Sequence, residues 1–387
     1  MTLPGFRFDP PATPVTPALR WVVARAYAAG DTALVETEGG AAVALAQALS
    51  IAARIASVQP QARLAGELGA PAVAELKRQR ALAVAQEMRL GAALQAVDAA
   101  AADLRIPYAP LKGQALVLGG FAPDGGRPSS DLDLLVPEAR LDALQKELLG
   151  AGFTIAGEAY EHQAPGLRHP DGGMIELHRV LPGVRLEPKR SATFETLVAA
   201  GLLGPPPSAM SFRLRGDLRL PRRELLTAHA LVHAIAQHGF APAVFPGFLF
   251  LGDLVDLAFR GSGGRATLAA IGPWIEREVS YEEAEAALDL ATALAAGDSK
   301  LFEAPATVRP PARLLFDHFL AGVVDPEYAM ALKSRLLERP LSDKPQAVAK
   351  AELLAKTLAP RQGESLFARL GFLLRRLVTV RSAGRRK

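Results

Sequence analysis

The sequence predicts an α+β protein in which a small sheet lies between helical N-terminal and C-terminal regions. Residues 18–103 are rich in Ala, Leu, Val and Arg, which are mostly strong helix formers. The apolar run 132–136 follows turn residues instead, which predicts a buried strand. From residue 222 onward the apolar residues return to helical spacing. The chain has 387 residues, half of them hydrophobic, so it has the material for a sizeable core and for two or three domains.

The N-terminal part is expected to be helical after a short lead-in. Residues 1–17 contain five prolines and predict an extended, poorly ordered segment. Residues 18–103 form the predicted helical region, whose longest helix runs from Pro71 to Asp103, because Pro suits the first helical turn. The sheet-containing core is then placed at residues 104–200, a helical C-terminal domain at 201–360 and a basic amphipathic tail at 361–387.

A strand, a glycine turn and a helix open the predicted core. Tyr108–Leu111 predicts the end of a short strand, and Lys112 and Gly113 begin an apolar helical segment. A Gly at such a turn lets the backbone approach a phosphate, and the helix N-terminus behind it favours negative charge. Lys112 adds a positive charge beside this turn, although an ordinary lysine at a helix entry would give the same pattern.

Two carboxylates lie on the next predicted strand. Asp131 and Asp133 are two residues apart, so they project from the same face of the strand, about 6–7 Å apart along the backbone. Carboxylates placed side by side repel each other, and a divalent cation removes that penalty. The alternative is a half-exposed strand in which polar and apolar residues simply alternate.

The order of these features resembles the uncharacterised bacterial nucleotidyltransferase family within the DNA polymerase beta-like superfamily. The residues that carry the resemblance are Lys112-Gly113, Ala115–Leu118, Arg127, Asp131-Leu-Asp133 and Leu135-Val136. The resemblance covers roughly residues 104–180, under a quarter of the chain, and implies a small mixed-sheet nucleotidyltransferase core. The superfamily commonly has a Ser after the glycine, whereas this chain has Gln114, so a hydroxyl contact to phosphate is not available there.

The resemblance also implies a metal-dependent mechanism. A third carboxylate is expected on a later strand, and Glu176 is the candidate, with Ile175 and Leu177 facing the other way. The implied catalytic and metal-binding residues are Asp131, Asp133 and Glu176, which would hold one or two Mg²⁺ (or Mn²⁺) ions. The implied nucleotide contacts are Lys112, Gly113, Arg127 and Ser130. Two of these have alternatives, because Arg127 would also suit an ion pair with Asp131 or Asp133, and Ser130 would also suit a turn.

Three histidines are candidates for a substrate cleft. His178 lies two residues after Glu176 and shares its face of the strand, so it would orient a substrate or Glu176 itself. His229 and His233 are four residues apart on one face of a predicted helix. Two histidines at this spacing also occur on the zinc-binding helix of metalloproteases. That helix carries a Glu directly after the first histidine, whereas position 230 here is Ala, so the metalloprotease interpretation is excluded. The alternatives are that His229 and His233 only pack within the protein and that His178 is exposed on its strand.

Charge is concentrated at the C-terminus. Residues 361–387 contain eight Lys and Arg and one Glu, while the whole chain has a net charge of +4. An apolar stripe runs between these basic residues, which is typical of a helix on an anionic membrane surface or on nucleic acid, although a terminal helix docked on the core would fit equally. The sequence has no cysteine, no signal pattern and no apolar run of membrane-spanning length. A cytoplasmic protein, with a peripheral membrane contact through the tail, is the expectation.

The predicted function is therefore the transfer of a nucleoside monophosphate from an NTP to a hydroxyl of a protein, a small molecule or an RNA. Two other functions fit the sequence. One is a nucleotide-binding regulatory module without turnover, for which Gln114 is the supporting feature. The other is a helical protein that docks on a membrane or a partner through its basic tail.

Overall fold

A computed structural model of the chain describes residues 3, 6, 9–11, 15–27, 38–187, 190–206, 214–238, 247–259, 264–302, 310–325 and 327–332. The predicted tail at 361–387 lies outside these residues, as does part of the predicted lead-in.

Helices make up the N-terminal part, as predicted. Five are described: α1 (Pro17–Tyr27), α2 (Gly39–Ala48), α3 (Ala52–Val58), α4 (Gln61–Leu68) and α5 (Ala70–Leu104). Helix α5 has 35 residues and carries a proline in its first turn. It ends at Arg105, whose φ of 54° is left-handed and stops the helix.

The core contains a mixed five-stranded sheet with strand order β1-β2-β5-β4-β3. Its strands are β1 (Ala109–Pro110), β2 (Asp131–Leu135), β3 (Thr154–Ile155), β4 (Leu167–Arg168) and β5 (Met174–His178). The central pair, β2 and β5, is parallel, and the other pairs are antiparallel. This sheet between helical regions confirms the predicted α+β class.

Helices and short ribbons flank the sheet. Helix α6 (Lys112–Leu118) follows β1, α7 (Glu138–Gly150) follows β2, and α8 (Phe194–Ala199) lies beyond β5. Two ribbons complete this part: β6 (Val180–Leu181) pairs with β7 (Ala192–Thr193), and β8 (Leu203–Gly204) pairs with β9 (Leu220–Pro221).

The C-terminal part is helical. The described helices are α9 (Arg223–Leu231), which continues as a π-helical segment (Val232–Gln237), α10 (Gly247–Phe259), α11 (Gly264–Ile275), α12 (Tyr281–Ala296), a 3-10 turn (Ser299–Phe302) and α13 (Pro311–Val324). Helix α12 begins with a capping box, in which Ser280 accepts from the Glu283 backbone N–H and Glu283 accepts from the Ser280 backbone N–H.

Side chains along β2 and β5 point alternately to the two faces of the sheet, so the buried ones belong to two hydrophobic clusters. Leu132 and Leu134 pack with α5 and α7. Leu135, on the opposite face, packs in a second cluster that joins N-terminal helices to C-terminal ones, for example Trp21 to Phe319. The two helical regions therefore share one core.

The beginning of the chain contributes to that shared core. Leu3 and Phe6 are each 1% exposed, and the Phe6 ring lies 5.0 Å from the His318 ring. These residues of the predicted lead-in are therefore packed rather than solvated.

In the described part of the chain, no single helix is long and apolar enough to cross a bilayer. Helices α2 and α3 reach that length and hydropathy only when they are counted together, across a bend of 115°.

Candidate active site

The parallel pairing of β2 and β5 places the predicted carboxylates on one face of the sheet. Asp133 stands directly opposite Glu176, Asp131 opposite Met174, and Leu135 opposite His178. Because side chains alternate along a strand, the polar residues at 131, 133, 176 and 178 share the face turned away from α5. The polar positions of both strands therefore converge where the two strands meet.

Asp133 is the most enclosed of these carboxylates, with its side chain only 3% exposed. Its Oδ1 accepts hydrogen bonds from Lys112 Nζ at 2.7 Å and His178 Nε2 at 2.8 Å. Burial alone would raise the pKa of Asp133, but the Lys112 ammonium and the hydrogen bond from His178 outweigh it and hold the pKa well below its ordinary value. Asp133 is thus ionised and neutralised by Lys112.

Asp131 and Glu176 have no such compensation. Burial raises the pKa of both carboxyls, and the negative charge of Asp133 raises it further. Lys112 lowers both pKa values, the Ser130 hydrogen bond and the Arg127 charge lower that of Asp131, and His178 lowers that of Glu176, but these effects do not cancel the rise. Three carboxylates therefore face one ammonium, and the excess negative charge favours binding of a cation.

A set of donor atoms suited to a metal ion lies at the centre of this arrangement. Ligand atoms of Asp133, Glu176 and His178 all lie within 4.8 Å of one another. The predicted ligands Asp133 and Glu176 belong to this set, whereas Asp131 does not. Two carboxylates and an imidazole fit a divalent cation.

Lys112 reaches Asp133 from the first residue of α6. Its φ of 49° is left-handed, a conformation that lysine rarely adopts and that costs about 1 kcal/mol or more. Leu111 donates its backbone N–H to the Asp133 carbonyl at 2.9 Å, which ties this turn to β2. The turn thus fixes Lys112 next to the strand. Its predicted contact with phosphate stays a prediction.

Two side chains approach Gly113 closely. A Cβ at position 113 would overlap Ser129 Oγ and lie 3.1 Å from the guanidinium carbon of Arg127. The described contacts therefore give Gly113 a packing role, beside the phosphate contact that the sequence predicts. Ser130 is exposed, and it donates a hydrogen bond to Asp131.

Arg127 is held by Asp253 of α10. Its Nε and Nη2 donate to the Asp253 carboxylate at 2.6 and 2.9 Å, and its Nη1 donates to the Pro128 carbonyl at 2.9 Å. The predicted alternative, an ion pair with Asp131 or Asp133, is wrong, because Nε and Nη2 of Arg127 form a bidentate pair with the Asp253 carboxylate. A phosphate contact by Arg127 would have to compete with this pair.

A second buried ion pair lies one helical turn further along α10. Arg54 donates from Nη1 and Nη2 to Asp256 at 2.6 and 2.7 Å, and its guanidinium lies 5.8 Å from the centre of the Tyr27 ring. Asp253 and Asp256 are not among the predicted site residues. Two aspartates three residues apart in the otherwise apolar run 248–257 were the available signal.

Helix α9 brings the two predicted cleft histidines to the same region. His229 is 4% exposed, and burial followed by the charge of Lys112 lowers its pKa to about 3. The same two effects, with those of His238 and His229, bring the pKa of His233 well below its ordinary value. The charges of Lys112 and Asp133 act on both rings, so these histidines face the carboxylates as neutral imidazoles.

Aromatic rings surround the histidines. The His233 ring lies 4.6 Å from the Phe250 ring, and its Nε2 lies 3.0 Å from His238 Nε2. On the β5 side, the rings of Tyr160, His162 and His178 form a continuous stack with spacings of 5.8 and 5.7 Å.

Comparisons with known proteins identify a family for this chain. The model of a family described as uncharacterised nucleotidyltransferases matches residues 36–262, more than half of the chain. No curated protein matches. The solution structure of the antibiotic-resistance factor ANT(2'')-Ia is 16% identical over 46% of this chain and 93% of that chain, with a TM-score of 0.28.

Proposed function

We propose, because the chain belongs to the uncharacterised nucleotidyltransferase family, that it transfers a nucleoside monophosphate from an NTP to a hydroxyl acceptor with the help of a divalent cation. The observation that carries the proposal is the pairing of Asp133 with Glu176 on adjacent parallel strands, beside Lys112. Two adjacent carboxylates, one buried and one half-buried, are electrostatically costly without a second cation, which is the situation that a metal–triphosphate complex relieves.

Each residue has a role in this proposal. Asp131, Asp133 and Glu176 would hold Mg²⁺ or Mn²⁺, which when bound neutralises charge on the triphosphate and orients its oxygens. Lys112 would turn from Asp133 to the phosphates once the cation is in place. The backbone at Gly113, the second residue of helix α6, would approach the phosphates from the other side.

The reaction itself is a displacement at the α-phosphorus. The acceptor oxygen bonds to that phosphorus, the bond between it and the oxygen bridging to the β-phosphate breaks, and pyrophosphate leaves. The acceptor proton goes to Glu176, the more exposed carboxylate of the pair, whose side chain is 28% exposed and so open to an acceptor. His229 and His233, kept neutral by burial, would accept hydrogen bonds from the acceptor or the nucleotide.

A second candidate is a nucleotide-binding module without turnover, which would act as a regulator. Gln114 favours it, because the position that commonly supplies a hydroxyl to phosphate carries a buried amide instead. A hydroxyl acceptor on a protein, a small molecule or an RNA, the cytoplasmic location and the membrane contact through residues 361–387 stay predictions.

Transfer of α-phosphate-labelled NTPs tests the proposal. The full chain is incubated with each labelled NTP, Mg²⁺ or Mn²⁺ and cell lysate, and the products are compared with those of Asp133→Asn. The matched control is Asp142→Asn, which removes an exposed carboxylate on α7. Label on an acceptor with wild type and Asp142→Asn, lost with Asp133→Asn, supports the transferase. Metal-dependent binding of NTP without transfer supports the regulatory module.

A further inference from the structure

We propose that His178 is a nitrogen ligand of the cation site formed with Asp133 and Glu176, so that this site prefers a first-row transition ion such as Mn²⁺ or Zn²⁺ over Mg²⁺. The inference deepens the proposed function and rests on it for the presence of a cation. It concerns binding alone, so it is measured without nucleotide or acceptor.

The spacing of the donor atoms fits one ion. His178 Nε2 lies 2.8 Å from Asp133 Oδ1 and 3.7 Å from Glu176 Oε2. Two ligand atoms that are each about 2.1 Å from an ion are separated from each other by about 3–4 Å, depending on the coordination angle. The separation of the imidazole nitrogen from each carboxylate therefore matches that of two ligands of one ion.

Strand geometry holds the imidazole in place. His178 is the last residue of β5, two residues after Glu176, and its side chain is only 3% exposed. The His162 ring stacks on it at 5.7 Å with 22° between the planes. A buried, stacked ring loses little rotamer entropy when it binds an ion, which favours coordination.

The hydrogen bond of His178 defines the tautomer that coordination needs. Nε2 donates to Asp133 in this structure, so coordination through Nε2 requires the neutral tautomer that carries the proton on Nδ1. His178 Nδ1 is buried and forms no hydrogen bond within the described part of the chain.

The Lys112 ammonium shows where a positive charge is stabilised in this site. Its ammonium and His178 Nε2 converge on the same oxygen of Asp133, at 2.7 and 2.8 Å. Asp131, the remaining carboxylate on this face, lies outside the group of donor atoms within 4.8 Å. The third donor available at that point is thus a nitrogen, and imidazole favours Mn²⁺, Co²⁺ or Zn²⁺ over Mg²⁺, which is bound almost entirely by oxygens.

Electron paramagnetic resonance of bound Mn²⁺ tests the inference. Mn²⁺ is titrated into the full chain without nucleotide, and the electron spin echo is examined for modulation by a coordinated ¹⁴N. We expect one Mn²⁺ per chain with nitrogen coupling in wild type. His178→Gln should lose the coupling and bind Mn²⁺ about tenfold more weakly. His169→Gln, which removes a histidine that packs on Phe153 instead, should keep both.

Other outcomes would overturn the inference. Mn²⁺ that binds to wild type without nitrogen coupling, or that does not bind at millimolar concentration, excludes His178 as a ligand. Coupling that persists in His178→Gln but disappears in His162→Gln would assign the nitrogen to the neighbouring ring. If His178→Gln fails to fold, His162→Gln still decides, because nitrogen coupling that is kept in this variant excludes the neighbouring ring and leaves His178 as the ligand, whereas its loss overturns the inference.

The failure of this inference and that of the proposed function are separable. Nitrogen-coupled Mn²⁺ in a protein that transfers no nucleotide would keep the ligand assignment and remove the transferase. Transfer by a protein whose bound Mn²⁺ shows no nitrogen coupling would do the reverse.

Discussion

Two hydrogen-bond donors meet on one oxygen of Asp133, and this arrangement sets the electrostatics of the site. Lys112 supplies a full positive charge at 2.7 Å, and His178 adds a hydrogen bond at 2.8 Å. Asp131 and Glu176 stay without a comparable partner, and their pKa values rise with burial and with the charge of Asp133. At the scale of residues, the Lys112 ammonium lies beside Asp133, where a bound metal ion is expected.

Removing Lys112 should therefore strengthen metal binding. Lys112→Met leaves the buried Asp133 without its ammonium, so we expect Mn²⁺ to bind about tenfold more tightly in the absence of nucleotide, a gain of about 1.4 kcal/mol. Lys146→Met, an exposed lysine on α7, is the control and should leave the dissociation constant unchanged. Calorimetric titration measures both. Equal affinity in wild type and Lys112→Met would show that the ammonium does not compete with the cation.

The buried histidines predict a loss of stability in acid. The pKa of His229 is about 3 in the folded protein and about 6.5 in the unfolded chain, so the unfolded state binds the extra proton as pH falls from 6.5 to 3. Stability is thus complete above pH 6.5 and decreases below it. Relative to His229→Gln, wild type should lose about 3 kcal/mol between pH 7 and pH 4.

Urea unfolding of both proteins across this pH range measures the difference. Wild type and His229→Gln share the other titrating groups, including His233, so the comparison isolates one imidazole. Parallel stability curves for the two proteins would contradict the assignment of His229 as a buried neutral ring.

At the scale of elements, helix α10 ties the N-terminal helices to the turn before β2. Asp253 holds Arg127 at 2.6 and 2.9 Å, and Asp256 holds Arg54 of α3 at 2.6 and 2.7 Å. Glycines make room for both guanidinium groups, because a Cβ at Gly113 or Gly252 would lie 3.1 or 3.3 Å from the nearest guanidinium carbon. These ion pairs position the entry to β2 relative to the helices.

Breaking one of the pairs should be costly. Asp253→Asn leaves the buried Arg127 guanidinium uncompensated, so we expect a loss of about 3–5 kcal/mol in the free energy of unfolding. The double variant Arg127→Met/Asp253→Leu should lose much less, since no charge is then left alone. Asp217→Asn, which breaks the more exposed pair with Arg219, should cost about 1 kcal/mol or less. Similar losses in both single variants would contradict the role of the buried pair.

The strands of the site and the faces of their polar residues could be predicted from the sequence, but not all contacts between them. Alternation with a period of two predicted the shared face of Asp131 and Asp133 and the side on which Glu176 lies. The tertiary partners were harder, because Arg127 and Asp253 are separated by 126 positions and no local pattern joins them. His178 shares the face of Glu176, as predicted, but only the register of β2 and β5 brings its nitrogen to Asp133.

At the scale of the molecule, the helical regions before and after the sheet form one core. Leu3, Trp21, Ile55, Phe248 and Phe319 belong to the same hydrophobic cluster. The boundaries at residues 104 and 200 follow changes in composition. The buried cluster, in contrast, contains residues from both sides of each boundary. Local spacing predicts each helix, but it carries no information about which helices pack together.

The shared core predicts that the sheet region does not fold by itself. A fragment of residues 104–200 lacks α5, whose Leu90, Leu94 and Val97 cover one face of the sheet. It also lacks α9 and α10, which lie next to the site. We expect circular dichroism of this fragment to show no cooperative thermal transition, while the full chain shows one. A cooperative transition in the fragment would establish residues 104–200 as an independent domain.

The most direct test of the account follows the two ends of one NTP. The nucleotide is labelled at the α-phosphate in one reaction and at the γ-phosphate in another, with wild type, Mn²⁺ and the acceptor found in lysate. The account predicts that the α-label stays on the acceptor while the γ-label leaves as pyrophosphate. A γ-label on the acceptor, or an α-label found only as free monophosphate, would contradict nucleotidyl transfer at Asp133 and Glu176.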